Sequence, residues 1–239
     1  MKKLIKLKSE PIVESICEIR FTVNESLPVD LQTGIIISSI KPIGAVETLP
    51  ILQMPEQIRK SDPNLKYIPY YRFHFNDSVV QVGPRVLIVA SSLPYIGWEK
   101  MKSNLTQILD SLLTNTHVLN IERIGLRAIN FFDFDVIAKT TVTYAGPVEL
   151  PVEQYNYLVV YKKNTSKVKL QIANQANFET STLKRTGSLI DIDAFCEKEL
   201  VRDRSFVLSK VDELHDLSKE IFVQSLKSEY LNELGPQYE

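Results

Sequence analysis

Two arginines, Arg123 and Arg127, are the residues of this sequence best suited to hold a ligand. Both occupy odd positions of the stretch 121–136, so on a strand their side chains point to the same face, about 13 Å apart. Paired guanidiniums can bind phosphates or carboxylates through bidentate hydrogen bonds. The alternative is that each arginine forms an ion pair with an acid on a neighbouring strand, for example Glu14 or Glu18.

Two aspartates, Asp191 and Asp193, form a second group, because residues two apart on a strand face the same side of a sheet. Their carboxylates could ligate a metal ion, but the sequence marks no further ligands, and cross-strand pairing is the alternative. The three histidines are single and far apart, and no zinc-binding motif occurs, so no metal site is predicted. We expect one of them, His215, to be an exposed helix residue with acidic neighbours.

Aromatic and basic residues are interleaved in the stretch 70–75, Tyr-Tyr-Arg-Phe-His-Phe, and again in 157–163. Such strands can stack single-stranded bases, as in sheet-based RNA-binding proteins. The preference of aromatic residues for strands explains the same pattern without a ligand. The candidate ligand-binding residues are therefore Arg72 and His74 of this stretch, together with Arg123 and Arg127.

Motifs for catalysis are missing from the sequence. Its eight glycines form no phosphate-binding loop or dinucleotide fingerprint, and no Gly-x-Ser-x-Gly nucleophile motif occurs. We therefore predict no catalytic residue and no cofactor, and we lean towards a protein that is not an enzyme.

The composition is typical of a soluble globular protein, with 44% hydrophobic residues and a formal net charge of −1. This charge argues against binding nucleic acid through bulk electrostatics alone. Four lysines within the first eight residues resemble the start of a signal peptide, but no apolar stretch follows them, and no run of eighteen apolar residues predicts a membrane span. Cys17 and Cys196 lie far apart in strand-like patterns, which favours a reducing cytoplasm.

Alternation of apolar and polar residues predicts the strands that position the candidate residues. Residues 12–23 read as a half-buried strand, 70–91 as a meander, and 121–136 as a long central strand with a bulge or bend at Gly125. Between the first two, the proline-rich segment is expected to follow the surface, with a short edge strand near Ile51.

The second half repeats this pattern, with strands at 155–161, 168–172 and 188–196. Apolar residues at three- and four-residue steps predict a long helix in each half, the first carrying Trp98 to Leu112 and the second spanning about 204–234. The predicted fold class is α+β, with antiparallel sheets, two long amphipathic helices packed on one face, and a pseudo-duplicated arrangement. The halves 1–117 and 118–239 are expected to form one intertwined domain.

Five stretches of the sequence carry a resemblance that covers nearly the whole chain. They are Pro-Ile-Val-Glu-Ser-Ile-Cys-Glu-Ile-Arg-Phe at 11–21, Val-Gln-Val-Gly-Pro at 80–84, Pro-Tyr-Ile-Gly-Trp-Glu at 94–99, Arg-Ile-Gly-Leu-Arg-Ala-Ile-Asn at 123–130, and Leu-His at 214–215. In this order they resemble a bacterial family of uncharacterised proteins with a sporadic distribution among genomes. This chain has Ala128 where the family commonly has Tyr. The resemblance implies no settled activity and no known catalytic residue, and the patchy distribution is similar to that of genes in mobile or anti-phage defence loci.

Three functions remain as expectations. We favour a non-catalytic cytoplasmic interaction protein that binds a protein partner or a second copy of itself, as part of a bacterial defence or toxin–antitoxin-like locus. The alternative is a nucleic-acid- or nucleotide-binding protein, including a metal-independent nuclease, that uses the candidate arginines and the sheet aromatics. The third is a protein that binds a small molecule between its sheet and a helix.

Overall fold

The fold is seen in a computed structural model that describes residues 4–24, 26–41, 43–91, 93–143, 150–179 and 184–238. It is an α+β fold around a large antiparallel sheet, which confirms the predicted fold class at that level. The strands are β1 (Leu4–Leu7), β2 (Ile12–Val23), β3 (Ile43–Thr48), β4 (Tyr71–Phe75), β5 (Ser78–Gly83), β6 (Val86–Ser91), β7 (Val118–Phe132), β8 (Asn156–Lys163), β9 (Ser166–Glu179), β10 (Lys184–Cys196) and β11 (Pro236–Tyr238). The helices are α1 (Val29–Ile40), α2 (Glu56–Ser61), α3 (Trp98–Thr114), α4 (Arg204–Ser225) and α5 (Ser228–Glu233).

Nine of the strands form one sheet in the order β3-β4-β5-β6-β2-β7-β10-β9-β8. Every neighbouring pair in this sheet is antiparallel, and β2 and β7 pair at its centre. The short strands β1 and β11 pair with each other in a separate two-stranded sheet. The alternation of apolar and polar residues predicted the bounds of β2 correctly, whereas no sequence pattern predicted β1 and β11.

The central strands separate a core face from an open face. On the core face, alternate residues of β2, β7 and β10 are fully buried, among them Cys17, Ile19, Ile124, Ile190 and Ile192. They belong to one apolar core together with buried residues of α1, α3 and α4. The open face is the opposite side, and it carries the charged residues Glu18, Arg123, Arg127, Asp191 and Asp193, because their positions alternate with the core residues.

The two long helices begin in different ways. Helix α3 begins after Gly97, whose φ of 85° suits glycine and whose missing side chain leaves the first-turn N–H groups uncapped. Helix α4 begins after Asp203, whose carboxylate accepts a hydrogen bond from the Phe206 N–H at 2.8 Å. Among the described residues, no helix is both long and apolar enough to cross a membrane.

The bend predicted at Gly125 is wrong. Gly125 sits in regular register opposite Glu18 on β2 and Phe195 on β10, and the register shifts of the β2–β7 pair lie elsewhere, near the two ends of β2. The glycine instead leaves room on the open face for the side chain of Arg123.

Other predicted elements differ in their bounds. The central strand ends at Phe132 rather than Val136, because the Asp135 carboxylate accepts from the Ile137 N–H and starts a 3₁₀ turn over Val136–Lys139. The predicted strand near Ile51 is wrong, since Pro50–Gln53 forms a 3₁₀ turn and the edge strand is β3.

The predicted C-terminal helix is interrupted between α4 and α5. Leu226 is extended and forms an isolated β-bridge with Thr140. On either side of it, the Thr141 N–H donates to the Ser225 carbonyl and the Lys227 N–H donates to the Lys139 carbonyl, both at 2.9 Å. Pairing with residues 139–141 therefore replaces helical hydrogen bonds at this point.

Candidate functional site

Arg123 lies at the centre of an ion-pair network on the open face. Its Nη1 donates to Glu18 Oε1 at 2.6 Å, and its Nη2 donates to Asp193 Oδ2 at 2.9 Å. The guanidinium also lies over the Phe195 ring, 4.6 Å from its centroid, and the side chain is only 10% exposed. The strand register explains this arrangement, because Arg123 reaches across Gly125, whose neighbours on the adjacent strands are Glu18 and Phe195.

Arg127 forms a second, bidentate pair on the same face. Its Nε and Nη2 donate to the two carboxylate oxygens of Asp191 at 2.9 and 2.5 Å. These hydrogen bonds raise the pKa of the Arg127 guanidinium, against the opposing effect of burial. Arg127 remains 44% exposed, whereas Asp191 is 10% exposed, so only the arginine presents a substantial surface to solvent.

The remaining acid of the network, Asp193, is partly desolvated. Burial raises its pKa, and the positive charge of Arg123 opposes that rise. The two candidate arginines and the two candidate aspartates therefore meet in one cluster and neutralise each other, which is the cross-strand pairing that the sequence analysis left open as an alternative. A phosphate ligand would have to compete with carboxylates already bound to both guanidiniums.

The other two candidate residues lie apart from this cluster. Arg72 donates to Glu47 on β3 at 2.6 Å, and His74 is exposed two residues further along β4. Four strand spacings separate β4 from β7 in the sheet, which amounts to about 19 Å. The structure therefore places the four predicted ligand-binding residues at two separate positions.

Asn130 on the core face is nearly fully buried and donates to the Ile190 carbonyl at 3.0 Å. Both cysteines are buried and unpaired. No group of three or more His, Cys, Asp or Glu side chains among the described residues is arranged to hold a metal ion.

His215 departs from its predicted environment. Its ring stacks on the Trp98 ring, with centroids 3.9 Å apart and planes inclined by 3°, and its side chain is only 20% exposed. The prediction that His215 is exposed is wrong. It rested on the acidic neighbours of His215 in its own helix, whereas the ring that covers His215 comes from the first turn of α3, far away in sequence.

A cavity of about 940 Å³ lies beside this ring pair. The floor is the core face, with Leu126 and Ala128 of β7 and Ile192 of β10. Strand β1, the first turn of α3 and one side of α4 form the walls. Its volume lies within the usual range for small-molecule sites, and its position between sheet and helices matches the third expected function.

Strand β8 is a second candidate surface, and it contains the stretch 157–163 in which aromatic and basic residues are interleaved. It pairs only with β9 among the described strands, and no described strand covers its other edge. Apolar side chains project from both of its faces, with Leu158 53%, Val160 57% and Tyr161 42% exposed. The alternation of the sequence predicted the strand but could not reveal that it forms the edge of the sheet.

No protein-family model matches this sequence, and no curated protein is significantly similar to it.

Proposed function

We propose that the protein acts by binding another protein chain, without catalysing a reaction, and that β8 is the binding surface. The single observation that carries this proposal is the exposed apolar edge of β8. Natural edge strands are normally short, charged or covered, because an open apolar edge pairs readily with another strand. In β8 charged residues occur only at the last two positions, Lys162 and Lys163.

A second copy of the same chain is the partner that this edge fits best. If two copies pair through β8 about a twofold axis and continue the sheet, the residues that lie opposite each other must point to the same face. An odd-numbered residue of one copy therefore lies opposite an odd-numbered residue of the other, and an even-numbered residue lies opposite an even-numbered one. Pairing centred on Val159 brings Tyr157 opposite Tyr161 and Leu158 opposite Val160 of the other copy. Each apolar residue then meets another apolar residue, and the lysines face no lysine of the other copy.

Analytical ultracentrifugation over a dilution series tests this proposal. Wild type is expected to show a concentration-dependent dimer, and Val160→Lys is expected to be monomeric, because an introduced charge opposes apolar pairing. The matched control is Val201→Lys, since Val201 is 54% exposed in the loop before α4 and resembles Val160 in type and exposure. A monomeric wild type, or dissociation by both substitutions, would refute pairing through β8.

We also propose that the protein acts in the bacterial cytoplasm, as part of a defence or toxin–antitoxin-like locus. The support for this is the resemblance to a family of patchy distribution. Native mass spectrometry after gentle purification from the host tests it, since a bound protein encoded in the same locus is expected. Recovery of the chain without any such protein would count against this context.

The alternative function is binding of nucleic acid or nucleotides, including metal-independent nuclease activity. The observation that favours it is the solvent exposure of the Arg127 side chain, which is 44% exposed. Fluorescence anisotropy with a labelled single-stranded oligonucleotide would then show salt-sensitive binding that weakens in Arg127→Ala. Binding that is unaffected by this change would reject the alternative. Arg123 supports it less, because its guanidinium is almost fully enclosed by Glu18, Asp193 and Phe195.

We also propose that the two halves of the chain are pseudo-duplicated within one domain, with α3 and α4 equivalent and packed on one face. Supporting this, the strand order outward from the centre is β2-β6-β5-β4 in one half and β7-β10-β9-β8 in the other. Each long helix also contacts the strand next to the central one, α3 on β6 and α4 on β10. Superposition of residues 12–114 on 118–225 in a crystal structure tests this proposal, and helices on opposite sides of the sheet would refute it.

A further inference from the structure

The floor of the cavity beside Trp98 combines apolar surface with polar atoms that have no hydrogen-bond partner among the described residues. Ser15 and Asn130 line it and are only 4% and 2% exposed. One amide hydrogen of Asn130 is donated to Ile190, but its Oδ1 and the Ser15 hydroxyl form no hydrogen bond to a described residue. Both residues line the cavity, so these two atoms face its interior and are not sealed within the core. An occupant of the cavity can therefore supply the hydrogen bonds that they lack.

The small side chain of Ala128 creates the room above this floor. Ala128 pairs with Ser15 on one side and with Ile192 on the other, so these residues form one row across the sheet. Leu126 and Phe222 add apolar surface nearby. An apolar molecule of moderate size can therefore lie against the sheet within reach of the Ser15 hydroxyl.

The wall formed by α3 favours negative charge. The first turn of this 17-residue helix lines the cavity, and its N–H groups have no side-chain cap. Charged residues around the walls include five lysines and four acids, so the lining carries a formal excess of one positive charge: Lys6, Lys8, Lys100, Lys102 and Lys219 against Glu10, Glu99, Asp212 and Asp216. Asp212 and Lys102 pair with each other at 2.8 Å, which leaves this excess unchanged, and Lys219 donates to the Ile5 carbonyl.

From these observations we infer that the cavity is a binding site for a small organic anion with an apolar or aromatic body. The body lies over Ala128, polar substituents of the ligand pair with Ser15 and Asn130, and the negative group lies at the start of α3. This site is separate from β8 and does not depend on the proposed protein–protein interaction.

Trp98 allows a direct test, because it is the only tryptophan of the chain and it lines the cavity. The probe is anilinonaphthalene sulfonate, an aromatic anion that accepts energy from tryptophan. Titration of wild type is expected to quench Trp98 emission in a saturable manner, with one probe bound per chain. Saturable binding of the probe without quenching of Trp98 emission would overturn the inference. This measurement needs no variant.

Two variants locate the bound probe. Ala128→Phe fills the space above the floor and is expected to weaken binding by about tenfold or more. Leu158→Lys on the exposed edge of β8 is the matched control, and it is expected to change the affinity by less than about twofold. Circular dichroism first establishes that each variant is folded, and Ala128→Leu replaces Ala128→Phe if the larger side chain prevents folding. Loss of binding in Leu158→Lys alone would place the probe on β8 and overturn the inference.

The preference for an anion is tested separately with N-phenylnaphthylamine, which has the same aromatic body without the sulfonate. The sulfonated probe is expected to bind about fivefold or more tightly than the neutral one. Equal or tighter binding of the neutral probe would show a cavity that selects apolar bodies only, and it would overturn the anionic part of the inference.

Discussion

The guanidinium of Arg123 occupies the space directly above Gly125, two residues further along β7, where a Cβ atom at Gly125 would overlap Arg123 Nη1. This glycine is therefore part of the ion-pair network although it has no side chain of its own. Because Gly125 has no side chain, the Arg123 guanidinium can reach Glu18 on one neighbouring strand and Asp193 on the other.

Substitution of Gly125 by alanine should consequently displace Arg123. We expect Gly125→Ala to lower the free energy of unfolding by roughly 1–3 kcal/mol, as measured by urea denaturation. Gly34→Ala is the control, because Gly34 lies inside α1 and a Cβ atom added there would meet nothing within 4 Å beyond its chain neighbours and the backbone of its own helix. That change should raise stability by about 0.5–1 kcal/mol. Equal effects at both positions would contradict the role assigned to Gly125.

Removal of the Arg123 charge should leave the partly buried Asp193 without its hydrogen-bonded partner and Glu18 with Arg20 alone. We expect Arg123→Met, which keeps much of the side-chain volume, to cost roughly 2–4 kcal/mol in the same measurement. The added changes Glu18→Gln and Asp193→Asn should recover part of this loss, since neutral amides tolerate burial better. Arg72→Met is the matched control on an exposed pair and should cost less than about 1 kcal/mol. A loss at Arg72 as large as that at Arg123 would disprove the network's structural role.

The thiol of Cys17 gives the protein a pH dependence in the alkaline range. Burial, together with the charge of Glu18, raises the pKa of Cys17 from its ordinary value of 9.0 to about 12. Between these values the unfolded chain loses the proton while the folded chain keeps it, so stability falls as pH rises. The slope from this group approaches about 1.4 kcal/mol per pH unit.

Urea denaturation at several pH values between 9 and 10 measures that slope. Cys17→Ala should have a lower stability at neutral pH but a shallower decline over this interval. Comparison of slopes rather than absolute stabilities separates the thiol from other groups that titrate at higher pH. Parallel curves for the two proteins would show that Cys17 does not contribute.

The start of α4 should depend on the capping carboxylate of Asp203. We expect Asp203→Ala to lower the free energy of unfolding by about 1 kcal/mol, because the Phe206 N–H loses its acceptor. Asp203→Ser should retain most of the stability, since serine also caps helices. Asp62→Ala offers a comparison, because Asp62 caps only a three-residue 3₁₀ turn, and thermal unfolding should show a smaller effect there. An unchanged melting temperature for Asp203→Ala would rule out the cap.

Local sequence patterns predicted the strands well, because side-chain alternation is a property of neighbouring residues. They predicted which residues share the open face, including Arg123 with Arg127 and Asp191 with Asp193. They offered Glu18 as one example of a partner, which Arg123 does bind, but they did not predict the pairs with Asp191 and Asp193. Those partners are fixed by strand order across the sheet and lie 64 and 70 residues away in sequence.

Contacts between residues far apart in sequence also explain why the environments of His215, Gly125 and β8 were not predicted. The helical neighbours of His215 suggested exposure, whereas packing of α4 beside the start of α3 covers one face of its ring with Trp98. Gly125 suggested a bulge because it is a glycine within a strand, whereas the space beside it is filled by the side chain of Arg123, two residues earlier. The apolar pattern of β8 is that of any strand, and only the sheet order shows that it lies at an edge.

The pairing of β2 with β7 also bears on how the chain folds. The hairpins β4-β5-β6 and β8-β9-β10 join strands that are adjacent in sequence, so their loops close rapidly. The seam between β2 and β7 joins residues about a hundred positions apart, and it can form only after this long loop has closed. We therefore expect two hairpin units to form early and the central seam to limit the folding rate, so that the middle of the sheet is the last part to become ordered.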